Sequence, residues 1–148
     1  MVDVSEVARS LARFGDRYAR RVFSDDELAL WPGAVPARAC ADLAERFAGK
    51  EATIKVLAPG DQGLDWRSIE VRRHRPGGCS VRLSGTAAAL AQEAGISRVM
   101  LSVSSAGGVA MAVAVGSGGG SGRRRPGGCD SGREGGCASG EIRKDAEA

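Results

Sequence analysis

The sequence predicts an α+β domain in which helices cover an antiparallel sheet. Several stretches repeat apolar residues every three or four positions, whereas two later pairs of stretches alternate between apolar and polar residues. Each alternating pair is joined by a short glycine-rich turn, which is typical of an antiparallel hairpin. The predicted order is helix, helix, helix, strand pair, helix, strand pair. This order favours an α+β class over an alternating α/β one.

The amino-terminal part predicts two helices. The first has an apolar stripe at helical spacing, and Gly15 is expected to divide it into two pieces. Its opposite side carries a basic ridge that suits either an acidic partner or plain solvation, formed by Arg9, Arg13, Arg17 and Arg20. Residues 24–27 have the Ser-x-x-Glu form of a capping box, which predicts the start of a second, short helix.

A long helix over residues 38–58 is the centre of the predicted domain. Its larger apolar residues fall within one arc that should face the core, namely Leu43, Phe47, Ile54 and Leu57. Glu51 and Lys55 lie one turn apart beside this arc. The rest of their sector consists of Ala44, Ala48 and Ala58. We expect these short side chains to leave room for a ligand against the two charges.

Lysine is used sparingly, because Lys50 and Lys55 are two of only three lysines in the chain. The compact ammonium group suits phosphate oxygens, and Arg46 lies close to Lys50 on the same side of the predicted helix. One carboxylate, Glu51, among these cations indicates a site for a metal ion together with a phosphate. The alternative is that Glu51 and Lys55 form an ordinary surface pair, which their spacing also permits.

The carboxyl-terminal half predicts four strands and one helix. The strands are expected over residues 68–73, 80–83, 99–104 and 109–115. The first two should be joined by the turn His-Arg-Pro-Gly-Gly and the last two by Ala-Gly-Gly. Between the two pairs, Ser84 should cap a helix over residues 86–94, and Gly95 should close it in a left-handed conformation.

We expect one domain over residues 1–115 and a disordered Gly/Arg-rich tail over residues 116–148. The tail has Ile142 as its only large apolar residue, so it cannot offset the entropy cost of ordering. A net charge of +3 is too small to indicate nucleic-acid binding. No stretch has the features of a signal peptide or a membrane span, and four cysteines without a Cys-x-x-Cys pair favour reduced thiols over zinc. These features predict a cytoplasmic protein that binds neither nucleic acid nor membrane.

Four segments resemble a known family. Residues 15–27, 46–55, 63–71 and 101–113 are similar, in this order, to holo-acyl-carrier-protein synthases, the small bacterial type of 4′-phosphopantetheinyl transferase. The pattern Phe-x-x-Lys-Glu-x-x-x-Lys at residues 47–55 is the most diagnostic of them. The resemblance extends over residues 3–115.

The resemblance implies the 4′-phosphopantetheinyl transferase fold and a magnesium-dependent reaction. Enzymes of this family move the phosphopantetheine arm of coenzyme A onto a serine of an acidic acyl carrier protein, and they work as trimers with active sites between subunits. By this resemblance Glu51 holds the metal and acts in catalysis together with Lys55. The residues that contact the phosphates of coenzyme A would be Arg46, Lys50 and Lys55. The basic ridge of the first helix would dock the carrier protein.

The resemblance also implies a truncated amino terminus. Family members begin with a strand whose Gly-x-x-Asp segment brings a second metal-site aspartate, and the alignment puts that aspartate just before Met1. The sheet is therefore expected to lack its first strand, and Asp3, three residues further on, is not assigned as a ligand. Two alternatives to an active enzyme stay open. One is a decayed member that keeps the fold and coenzyme A binding, and the other is an unrelated oligomeric α+β module.

Overall fold

The computed structural model describes residues 1–31, 39–61, 63–74 and 78–118. The elements, in chain order, are β1 (Val2–Asp3), α1 (Val4–Val22), α2 (Asp25–Leu28), α3 (Ala39–Leu57), a 3-10 turn (Trp66–Ser68), β2 (Ile69–His74), β3 (Gly78–Leu83), α4 (Gly85–Glu93), β4 (Arg98–Ala106) and β5 (Val109–Ser117). From α1 onward the helices and antiparallel strands occur in the predicted order, and the α+β class is confirmed. None of the helices in the described ranges is long and apolar enough to cross a membrane.

The strands form two antiparallel sheets. β2 pairs with β3 as a two-stranded ribbon, and a three-stranded sheet has the order β1-β5-β4. β4 and β5 are the predicted hairpin, and its turn residues Gly107 and Gly108 have φ values of 59° and 80°. Positive φ at both central positions is what a tight two-residue hairpin requires, and glycine provides it without strain.

β1 contradicts the expectation that the first strand is missing. Val2 pairs with Ala110, and Asp3 pairs with Val109, so a short first strand lies along β5. The Asp3 carboxylate then accepts a hydrogen bond from the Ser5 amide at 2.7 Å and caps α1. Asp3 is therefore the acidic residue with which the first strand ends.

α1 consists of two helical pieces, as the sequence predicts. Gly15 interrupts it with φ 52° and ψ −137°, a conformation that is accessible essentially to glycine alone. No atom lies within 4 Å of the position that a Cβ would take at Gly15. Glycine is therefore required here by backbone conformation and not by lack of space.

α2 begins with the predicted capping box. The Ser24 hydroxyl accepts from the Glu27 amide at 3.2 Å, and Oε2 of Glu27 accepts from the Ser24 amide at 2.8 Å. Glu27 is only 1% exposed, which the capping of a surface helix does not require. Its carboxylate therefore has partners inside the domain.

α3 is buried on nearly all sides and not along one arc only. Leu43 is buried, as predicted, in a cluster with residues of α1, β1 and β5. Leu57, also predicted, belongs to a second cluster with Ile69 and residues of α4. The two predicted core positions between them, Phe47 and Ile54, are partly buried against these clusters. The central helix thus joins two cores.

The alanines of α3 pack against the three-stranded sheet. Ala44 and Ala48 are buried in one cluster with Val2 of β1 and Ala110 of β5. Short side chains on both elements allow the helix and the sheet to approach closely. The prediction that Ala44 and Ala48 leave room for a ligand is therefore wrong, because β1 and β5 fill that space.

The last strand is longer than the predicted range of residues 109–115. β5 continues to Ser117, whose carbonyl accepts from the Ser97 amide at 2.9 Å. Gly95 closes α4 with φ 69°, as predicted. Residues 119–148, which are most of the predicted tail, lie outside the described residues, and so do residues 75–77 of the turn between β2 and β3.

Candidate active site

Glu51 and Lys55 lie one turn apart on α3. The Glu51 side chain is half-buried, and Lys55 is exposed. Among the described residues neither one forms an ion pair, with the other or with a third group. The surface pair that their spacing permits is therefore not formed. Both charges remain available to a ligand as far as the described part of the chain shows.

Lys50 points into the protein. Its side chain is fully buried, and its ammonium group donates to Glu27 Oε2 at 2.8 Å, to the Trp66 carbonyl at 3.0 Å and to the Ile69 carbonyl at 2.5 Å. An ammonium group has three donors, so none remains for a phosphate. The predicted contact between Lys50 and the cofactor is corrected accordingly, since this lysine serves an internal ion pair.

The Glu27 carboxylate facing Lys50 is also fully engaged. Besides the Ser24 amide and the ammonium group, it accepts a hydrogen bond from the Val71 amide at Oε1, at 3.0 Å. Burial lowers the pKa of Lys50 from its ordinary value, and the Glu27 carboxylate opposes this shift. A buried ion pair is tolerated only when both charges are hydrogen-bonded, as they are here.

Arg46 lies one turn before Lys50 on the same face of α3 and is buried. Its Nε donates to Asp42 at 2.7 Å, its Nη1 donates to the Val71 carbonyl, and its guanidinium lies over the Trp31 ring, 5.6 Å from the centroid. It also lines a cavity of about 440 Å³ between α2 and β2. The predicted contact of Arg46 with a phosphate stays a prediction, and a ligand would have to approach through this cavity.

The acidic residues suit a magnesium ion that is shared with phosphates. In the described ranges no three His, Cys, Asp or Glu side chains cluster as they would around an ion held by protein alone. Magnesium needs only one or two carboxylates when phosphates and water complete its shell, so Glu51 fits such a site. Asp3 is a further carboxylate and is exposed, and hydrogen bonds from Ser5 hold its pKa below the ordinary value.

The four arginines of the predicted ridge are all exposed. They are Arg9, Arg13, Arg17 and Arg20. The break at Gly15 separates the first two from the last two, so helical spacing does not align them as one row. Arg9 lies 3.9 Å from Glu6, and the Arg13 guanidinium lies over the exposed ring of Phe14, 5.0 Å from its centroid. The result is a basic surface in two parts.

The sequence model of the 4′-phosphopantetheinyl transferase superfamily matches residues 2–114. The chain belongs to this superfamily. Relatives in it include the holo-[acyl-carrier-protein] synthase of Nitratidesulfovibrio vulgaris, which is 36% identical over 116 residues, or 78% of this chain and 91% of that protein. The holo-[acyl-carrier-protein] synthase of Methylobacterium nodulans is 44% identical over 90 residues, or 60% of this chain and 67% of that protein.

Solved structures of the superfamily have the same fold. The holo-ACP-synthase from Plasmodium yoelii superposes with a TM-score of 0.70 at 25% identity, over 80% of this chain and 91% of that one. The holo-[acyl-carrier-protein] synthase from Neisseria meningitidis gives 0.66 at 30% identity, over 78% and 92%. The predicted fold and the predicted enzyme class, a phosphopantetheinyl transferase of the holo-acyl-carrier-protein synthase type, are confirmed. The alternative of an unrelated module is wrong.

This transferase domain exposes an apolar patch on one face of the β4–β5 hairpin. Its members are Met100, Met111, Val113 and Val115, each at least 50% exposed. Met100 stands opposite Val115 in the sheet register, and alternate residues of β5 share a face, so the four side chains are neighbours. A contiguous exposed apolar patch of this kind is a candidate interaction surface.

Two buried carboxylates of the transferase domain escape prediction from the sequence. Glu27 is recognisable only as a capping residue, because nothing local relates it to Lys50. Glu45, on α3, is buried where it accepts from the Ser105 hydroxyl and pairs with Arg73. In both cases the partners are distant in sequence, so no spacing pattern could have revealed them.

Proposed function

We propose that this chain transfers the 4′-phosphopantetheine group of coenzyme A to a serine of an acyl carrier protein in a magnesium-dependent reaction. The observation that carries the proposal is the pair Glu51 and Lys55 on α3, which have no ion-pair partner among the described residues. They belong to the Phe-x-x-Lys-Glu-x-x-x-Lys pattern at residues 47–55, which carries the resemblance to holo-acyl-carrier-protein synthases and lies within the matched residues 2–114. A structural relative from Helicobacter pylori, with a TM-score of 0.65, is described as a complex with coenzyme A.

Glu51 and Asp3 are the carboxylates that we assign to magnesium. The sequence already predicts Glu51 as a metal ligand. We propose Asp3 as a second ligand because β1 is present and ends with this residue. Oxygen ligands and an incomplete protein shell are what magnesium uses when it also binds phosphates. When bound, the ion would neutralise charge on the pyrophosphate of coenzyme A.

Lys55 is the cation that we assign to the phosphates during transfer. The serine hydroxyl of the carrier loses its proton to solvent as its oxygen forms a bond to the phosphorus that bears pantetheine. The bond from this phosphorus to the adenosine 3′,5′-bisphosphate oxygen breaks. Negative charge then moves to the leaving group, where an exposed ammonium one turn from Glu51 stabilises it. Arg46, whose guanidinium lines the cavity beside α2, is a further candidate for phosphate contact.

The two-part basic surface of α1 is the docking site that we assign to the acidic carrier protein. Arg9, Arg13, Arg17 and Arg20 are exposed and orient an acidic partner through charge complementarity. They do not take part in the chemistry.

We also assign the apolar patch of the β4–β5 hairpin to contacts between three copies of this chain. A cluster of four exposed Met and Val side chains is costly in water and is covered when subunits associate. Within the described ranges Cys40 and Cys79 form no disulfide, which is compatible with a reducing compartment, and we propose the cytoplasm.

The test is transfer of phosphopantetheine from coenzyme A to an apo carrier protein, followed by mass spectrometry. Glu51→Gln should abolish transfer and keep the melting temperature of the wild type, because it removes charge with little change in volume. Glu93→Gln, an exposed glutamate at the end of α4, is the matched control and should be fully active. Unchanged turnover in Glu51→Gln would refute the assignment. A wild-type chain that binds coenzyme A but transfers nothing would refute the proposed reaction.

A further inference from the structure

Three charged side chains occupy the edge of β2 that does not pair with β3. Lys50 donates to the Ile69 carbonyl, Glu27 accepts from the Val71 amide, and Arg46 donates to the Val71 carbonyl. On a sheet edge these backbone groups would ordinarily meet another strand or water. Here side chains from two different helices replace the strand. The arrangement fixes α2 and α3 to the same short piece of backbone.

We propose that Glu27 and Lys50 form a positioning pair for Glu51. The inference rests on the proposed function, in which Glu51 holds magnesium. Lys50 precedes Glu51 directly on α3, so the rotation of this turn about the helix axis is set by whatever holds the Lys50 side chain. Its ammonium group is held by three acceptors, from α2, from the 3-10 turn and from β2. With all three in place, the direction in which Glu51 leaves the helix is fixed.

The geometry of this pair restricts α3 in more than one direction. Glu27 Oε2, the Trp66 carbonyl and the Ile69 carbonyl belong to three elements that meet around one nitrogen atom. The Phe23 ring closes a further side, with its centroid 5.7 Å from Nζ. A neutral apolar side chain at position 50 would fill the same space, but it could not select one rotation of the turn through directed bonds.

On the helix face next to Lys50, close packing limits how α3 can adjust. A Cβ at Gly49 would stand 3.1 Å from Leu101 and 3.2 Å from Val71. The helix therefore touches both sheets at the residue before Lys50, and it cannot slide toward either one. Rotation is the motion that remains, and the ion pair opposes it.

The same pair connects the two surfaces that the reaction needs. Glu27 lies on α2, which follows the arginine-bearing α1 after only Phe23 and Ser24. Glu27 also accepts from the Ser24 amide, at the junction of the two helices. The Glu27–Lys50 contact thus runs from the end of the carrier-docking helix to the turn that carries Glu51. The Glu27–Lys50 contact thereby sets the distance between the bound carrier protein and the metal site.

The experiment replaces both members of the pair together. Glu27→Leu combined with Lys50→Met leaves no unpaired buried charge, so the double variant should keep the fold far better than either single variant. We expect a folded protein in which the magnesium concentration for half-maximal transfer rises about tenfold or more and kcat falls by a similar factor. The KM for coenzyme A should change much less, because Lys50 does not contact it.

The control is an exposed ion pair that also has one member on α2. Arg67 of the 3-10 turn and Asp25 of α2 lie 2.9 Å apart, with 41% and 76% of their side chains exposed. Removing both charges with Arg67→Met and Asp25→Asn should change neither the magnesium requirement nor kcat. An equal effect of the two double variants would show a general loss of packing and would overturn the inference.

The remaining outcomes are equally distinct. A folded Glu27→Leu/Lys50→Met variant with wild-type magnesium dependence and kcat would overturn the positioning role while leaving the proposed reaction intact. If that variant does not fold, Glu27→Gln replaces it, since the amide keeps the size of the carboxylate. A folded Glu27→Gln variant with wild-type magnesium dependence would also overturn the role. A wild-type chain without any transfer would instead refute the proposed function, and this inference with it.

Discussion

The Glu27 carboxylate accepts a hydrogen bond from the Val71 amide at 3.0 Å, across 44 positions of sequence. A side chain thereby takes the place of a neighbouring strand. Two-stranded ribbons are marginal when they stand alone, and an open edge invites pairing with other chains. The charged side chains from α2 and α3 satisfy this edge, so β2 and β3 need no third strand to be held against α3.

Asp3→Asn separates the two roles that the structure and the proposal give to Asp3. Asparagine caps helices as well as aspartate does, so the melting temperature should stay close to that of the wild type. Transfer should nonetheless require far more magnesium, because a charged oxygen ligand is lost. Thermal melting and a magnesium titration of the transfer rate measure the two effects. A variant with an unchanged titration would remove Asp3 from the metal site.

Reversing the charge of Arg17 tests carrier docking. Arg17→Glu should raise the KM for the carrier protein about three- to tenfold with little change in kcat, and the difference should shrink at high salt. The matched control is Arg98→Glu, which alters an exposed arginine at the start of β4. Steady-state kinetics at two ionic strengths distinguish the cases. Equal effects at both positions would argue against α1 as the docking surface.

Gly15→Ala should destabilise the domain by about 1–3 kcal/mol, the cost of forcing a side-chain-bearing residue into this backbone region. Space is not limiting, so the loss would come from backbone conformation alone. Gly63→Ala is the control, because Gly63 is also open to space and does not have positive φ. Chemical denaturation of both variants gives the comparison. Equal stability of the two would mean that the break in α1 does not depend on glycine.

Val113→Glu tests the apolar patch as a subunit contact. Val113 is 65% exposed in the single chain, so a glutamate is tolerated by the isolated fold. In an assembly the new charges would be buried without partners, and the complex should dissociate. Analytical ultracentrifugation measures the mass, with Ala89→Glu on the exposed side of α4 as control. If the variant keeps the wild-type mass, the patch is not a subunit contact.

The turn residues and helix ends of this fold could be predicted because each depends on local chemistry. Gly107 and Gly108 give the hairpin, Gly15 breaks α1, and the Ser24–Glu27 box starts α2, all through interactions within a few positions. The spacing along one helix likewise predicts Glu51 and Lys55 as site residues, and their roles stay a prediction. For these features the sequence carries the information within a single turn or helix.

The burial of Lys50 in an ion pair could not be predicted from local sequence. Helical spacing puts Lys50 near Arg46 and Glu51. It gives the direction in which a side chain leaves the helix, but it does not tell which other elements pack there. Glu27, the partner of Lys50, comes from another helix, and the two carbonyl partners come from the backbone after α3. The burial of Ala44 and Ala48 against the sheet is not predictable for the same reason. Small residues are compatible with an open site and with close contact to a sheet, and only the tertiary structure distinguishes the two.

The pairing of β1 with β5 also has a consequence for biosynthesis. The first strand of the chain finds its partner in the last described one, where Val2 lies beside Ala110. During translation β1 therefore cannot pair until nearly the whole domain has been synthesised. Until then Val2 and the alanines of α3 are not buried against β5. Contacts between distant segments slow folding and prolong the exposure of apolar surface. Chaperone dependence of the nascent chain should accordingly last until β5 has emerged from the ribosome.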